Sequence, residues 1–159
     1  MRVLPGCRGR VAVAELRRVA RAVLAAEGVS TAVEASVVLA DVATVRDLNR
    51  LYRGKDEPTD VLSFATAGTA NTARSPLFIE PPDAAPTLGE VIVCLPVAEA
   101  QAAAAGRPVA GAVAHLIVHG ILHLLTYDHE EPADAAAMQA REDAALRELG
   151  YSGAYEHGH

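Results

Sequence analysis

HLIVHGILHLLTYDHE, residues 115–130, holds four of the chain's six histidines, and leucine, isoleucine and valine fill most of the positions between them. The uncharged, apolar run from Val109 to Leu125 reads as a helix buried inside a domain. An α-helix rises 1.5 Å per residue, so His119 and His123 stand about 6 Å apart along the axis and on one face. Two imidazoles so placed can converge on one metal ion. His129 comes six residues after His123, and the chain must turn after Leu125 to bring it back; TYDH is short and polar enough to do so. The pattern H-x3-H-x5-H then supplies three neutral nitrogen ligands and leaves a fourth position open, the layout of a catalytic zinc site. Zinc is the first choice for all-imidazole ligation, with nickel or copper as substitutes. His115 shares the face but lies about 12 Å from His123 along the axis, too far to join the same ligand shell. It reads as a buried, hydrogen-bonded histidine, with a supporting role behind the ligands or a substrate-facing role as the alternatives.

No charged residue lies between Arg107 and Asp128, and twenty uncharged residues could cross a bilayer. Three histidines on one face at membrane depth, with no charged partner, argue instead for the buried helix of a domain outside the membrane. The rest of the chain supports that. Its 159 residues, 51% hydrophobic and 21% charged, suit one domain over 1–159 with a real core. Tryptophan is absent and phenylalanine and tyrosine are scarce, so aliphatic packing must dominate.

Periodicity predicts a helix over 12–27 closed by Gly28, a strand over 33–41, and a helix over 42–54 stopped by Gly54. A strand over 60–66 and another over 88–95 flank a long Ala-, Thr- and Pro-rich loop at 67–87. Pro96 opens a short helix closed by Gly106; the histidine helix follows, and a last helix over 132–149 ends at Gly150. Strands and helices mix without strict alternation. The expected fold is α+β: a single domain with a small mixed β-sheet, packed with helices around the central histidine-bearing helix.

The net charge of −6 counts against nucleic-acid binding by the whole surface, but the charge is uneven. Six arginines crowd the first 21 residues, and Arg46, Arg50, Arg53 and Lys55 form a second cluster, so a local basic groove is compatible with an acidic protein. Cys7 and Cys94 belong to no closely spaced motif, and Cys94 reads as a buried free thiol. With no signal-like apolar run near the N-terminus, a cytoplasmic location is expected.

The histidine spacing is shared with the metallopeptidase pattern H-E-x-x-H-x-x-G-x-x-H, whose glutamate is the general base. Here Gly120 occupies that position, and Met138 is badly placed for a Met-turn, so a zinc metallopeptidase is the weaker alternative. HGILHLLTYDH more closely resembles the H-G-x-L-H-L-x-G-Y-D-H signature of the YbeY family of metal-dependent endoribonucleases. LNRLYRGKDEPTDVLSF (48–64) resembles that family's other block, and LGEVIVCLPVAEAQA (88–102) is similar to the segment connecting them. The likeness runs from about residue 33 to 150. Thr126 replaces a family glycine, Glu90 stands where aspartate is usual, and Ala65 where proline is frequent. A β-branched residue at 126 predicts a differently shaped turn before His129 if the glycine has positive φ.

The resemblance implies a zinc-dependent, single-strand-preferring endoribonuclease. It would act in late maturation of the small-subunit (16S) ribosomal RNA and in ribosome quality control, so ribosomal RNA and the small ribosomal subunit are its expected partners. It implies His119, His123 and His129 as metal ligands and Arg53 as the functional arginine. A guanidinium suits the charge that builds on a phosphodiester in the transition state. Without the family, Arg53 has no priority over Arg50. Asp128 could hold a ligand imidazole or cap the turn; Thr59, Asp60 and Ser63 read as turn and strand residues. A non-enzymatic ribosome-assembly factor with a structural metal is compatible with the same residues.

Overall fold

The computed structural model describes residues 1–65, 87–125 and 132–151. The expected 67–87 loop lies almost wholly outside them. So does the expected TYDH turn, with Thr126, Asp128 and His129.

A short strand β1 (Arg2–Val3) opens the chain, followed by a 3-10 turn over Pro5–Cys7. Then come α1 (Val13–Ala26), β2 (Glu34–Ala40), α2 (Val42–Arg53), β3 (Val61–Ala65), β4 (Thr87–Cys94), α3 (Leu95–Ala105), α4 (Val109–Leu124) and α5 (Pro132–Glu148). The sheet order is β1-β2-β4-β3. β1–β2 and β2–β4 pair in parallel, and β3 closes the sheet antiparallel to β4, with Leu62 opposite Ile92 and Phe64 opposite Glu90. This is the expected α+β fold with a mixed sheet. β1 and the 3-10 turn were not expected, because elements of two or three residues are too short to show a period.

Alternation along the strands divides the core between two faces. Val38, Ala40, Leu62, Phe64, Ile92 and Cys94 pack with Val45 and Leu48 of α2. Val37, Leu39, Val91 and Val93 face the other way, into a larger core built with α1, α3, α4 and α5. Burial pushes the Cys94 thiol up to about 11, so it behaves as a small buried hydrophobe, as expected.

α4 is the centre of the larger core: every residue from Gly111 to Leu122 is buried. A helix apolar all round has no solvent face to present, which explains the missing charges. Among the described residues, no helix is long and apolar enough to cross a membrane.

Candidate functional site

The last two turns of α4 carry His119 and His123, and their rings meet edge to face with centroids 4.6 Å apart. The Nε2 atoms lie 3.0 Å from each other. Two nitrogen ligands of a tetrahedral zinc at the usual bond length of about 2.0–2.1 Å stand about 3.3 Å apart. The pair therefore fits one cation with a slight rotation of either ring. His119 is buried and His123 half-buried, so the pair lies at the edge of the core. His129, the third expected ligand, and Asp128 lie outside the described residues.

A residue missed from the sequence stands behind the pair. Glu142 of α5 is 2% exposed and turns its carboxylate toward α4. One oxygen contacts His119 Nδ1, and the other receives His115 Nε2 at 3.1 Å. His115 is thus the buried, hydrogen-bonded histidine expected, and it shares its partner with His119. Burial alone would raise the Glu142 carboxyl pKa; the hydrogen bonds and the charge interactions with both histidines outweigh it and bring it to about 2. A signal was present in the sequence. Met138, Glu142 and Leu146 repeat every four residues and are all buried, so Glu142 occupies a core position on an otherwise apolar stripe.

Arg53 ends α2 next to Gly54, and its Nη2 donates to the Ser63 carbonyl at 3.3 Å. Ser63 Oγ donates in turn to the Gly120 carbonyl at 3.3 Å, on the turn of α4 between the two histidines. Ser63 therefore ties Arg53 to the histidine helix. The neighbouring arginines differ: Arg46 pairs with Asp56 at 2.9 Å and Arg50 lies 3.7 Å from Asp47. Among the described residues Arg53 makes no ion pair, so its charge is not offset by a carboxylate there. Position thus separates Arg53 from Arg50, which sequence chemistry could not do. Thr59 and Asp60 shape the start of β3, as expected: buried Asp60 accepts from Gln101 at 3.2 Å and from Thr59 at 3.4 Å.

Two glycines allow this packing. At Gly89, φ is +136° and a Cβ would collide with the Phe64 carbonyl oxygen, so β4 could not approach β3 there with any other residue. At Gly120 a Cβ would collide with Val91 Cγ1 and sit 3.2 Å from Ser63 Oγ. This is the position where the peptidase pattern needs its glutamate, and the sheet leaves no space for one. Gly120→Ala is expected to destabilise the protein by about 1–3 kcal/mol through overpacking, despite alanine's helix preference of about 1 kcal/mol. Urea unfolding measures this, and an unchanged or raised midpoint would refute the close-packing account.

Comparison with known proteins agrees with the sequence motifs. The family model described as Endoribonuclease YbeY matches residues 9–150. A protein named Endoribonuclease YbeY from Moorella thermoacetica is 44% identical over 142 residues, covering 89% of each chain. Another from a Roseiflexus species is 42% identical over 153 residues, covering 96% of this chain and 92% of its own. A solution structure of a Thermotoga maritima protein superposes with a TM-score of 0.62 at 26% identity, over 93% of this chain and 87% of that one. Matched by the family model over residues 9–150 and 44% identical to a relative over 89% of each chain, the chain belongs to the Endoribonuclease YbeY family.

Proposed function

We propose that the protein is a zinc-dependent endoribonuclease that cleaves single-stranded RNA. Its role would be late maturation of small-subunit (16S) ribosomal RNA and ribosome quality control in the cytoplasm. Family membership supports RNA cleavage. The observation that carries the metal is the convergence of His119 and His123, Nε2 to Nε2, at 3.0 Å. His129 is the third ligand by the family's motif, and nickel or copper could substitute for zinc.

When bound, zinc supplies Lewis-acid polarisation of the phosphate and lowers the pKa of a water toward about 7. His119 and His123 would hold the cation through Nε2, with His119 backed by Glu142. Arg53, fixed to the Ser63 carbonyl, offers its remaining N–H groups to the non-bridging oxygens of the scissile phosphate, where negative charge grows.

Purified protein, first stripped of metal, tests the reading on a labelled single-stranded RNA. Cleavage should return with about one zinc per chain, as a single three-ligand site requires, and vanish again with chelator. Metal-independent cleavage would remove zinc from the reading. Stoichiometric zinc without cleavage, in a protein whose loss still disturbs ribosome assembly, would favour the non-enzymatic assembly factor.

A further inference from the structure

We infer that Glu142 is a positioning residue of the metal centre, pinned by His115, which fixes the His119 proton on Nδ1 and leaves Nε2 bare for the cation. The inference rests on the zinc reading of His119 and His123. Its basis is the bridge that one carboxylate of α5 makes between two imidazoles one turn apart on α4.

A carboxylate oxygen accepts hydrogen bonds, so the ring nitrogen that faces each oxygen of Glu142 is the one assigned the proton of its ring. His119 then has its proton on Nδ1, and its Nε2, the atom beside His123 Nε2, keeps a lone pair. By the same rule His115 is protonated on Nε2 and turned to the carboxylate, away from any ligand role. A carboxylate hydrogen-bonded behind a ligand imidazole raises the ligand's basicity and fixes its ring. Buried among apolar side chains, its negative charge also offsets part of a dication's charge more strongly than it would in water.

Stability alone does not account for Glu142. Met138 and Leu146 flank it on the buried stripe, and an apolar residue there would avoid desolvating a charge. Replacing a buried ionic group with packed hydrophobic side chains is often neutral or stabilising. Two histidines and a glutamate in that place are explained if one of the histidines must be held in a single tautomer. The remaining histidine of the helix is explained as well, since His115 occupies the second oxygen and stops the carboxylate from turning.

Glu142→Gln is nearly isosteric but uncharged, and its amide can accept from only one of the two rings. Zinc affinity, read by competition with a chromophoric chelator, should fall about 10–100-fold, the usual cost of removing such a partner. The visible bands of the cobalt-loaded variant should shift, while the melting temperature of the metal-free protein should stay close to wild type. Wild-type affinity and an unchanged cobalt spectrum in Glu142→Gln would overturn the inference. If that variant does not fold, nitrogen-15 spectra of zinc-loaded wild type decide. Coordination of His119 through Nε2, with the proton on Nδ1, is expected, and coordination through Nδ1 overturns the assignment. A wild type that binds neither zinc nor cobalt would mean that the metal reading itself has failed; metal binding with no effect of Glu142→Gln would mean that only the positioning role has failed.

Discussion

His123→Ala should bring single-stranded RNA cleavage down to the level of chelator-treated wild type, a loss of more than about 10³-fold if the cation's chemistry is removed with it. His123 is the better ligand to remove. It is half-buried at the end of α4, whereas His119 donates to buried Glu142. Deleting His119 would leave that carboxylate short of a partner at a cost of about 3–5 kcal/mol, and lost activity could then reflect a lost fold. In His123→Ala the far-ultraviolet spectrum and the melting temperature of the metal-free protein should stay close to wild type, while zinc content drops. A variant that keeps one tightly held zinc per chain would show that His123 is not a ligand.

Arg53→Ala separates transition-state stabilisation from metal binding. Arg53 is exposed, its hydrogen bond goes to a backbone carbonyl, and it has no part in the proposed ligand set. Metal content and stability should therefore change little. Saturated turnover on single-stranded RNA should fall about 10²-fold or more, the scale for losing one preorganised charge-stabilising donor. Arg53→Lys should recover only part of this, because an ammonium cannot reproduce the planar fork. If Arg53 only docks the substrate, the variant would instead bind more weakly, with a shallower salt dependence and full turnover at saturation. Single-turnover rates against RNA and salt concentration distinguish these outcomes.

The local elements were legible because each carries its own punctuation. Asp41 caps α2 through the Thr44 N–H at 2.8 Å, and Gly54 and Gly106 close α2 and α3 in left-handed geometry. The pairing of His119 with His123 was legible for the same reason: helix geometry alone brings residues four apart onto one face. β1 was not, because two residues have no period and their strand exists only by pairing with Val38 and Leu39.

What the sequence by itself determined was the α-helices and the longer strands, the buried histidine helix and the two blocks that resemble the family's. Only the tertiary structure decided which groups surround the histidines. Glu142 reaches His119 across 23 positions of chain, because α5 docks on α4. Ser63 reaches Gly120 across 57, because β3 packs under the same helix. Residues that far apart are joined by the packing of whole elements, and neither partner's local pattern encodes the other. The same holds for Gly120: the sequence alone shows that the peptidase pattern's glutamate is missing at that position, but the physical reason, Val91 pressed against the helix, belongs to the fold.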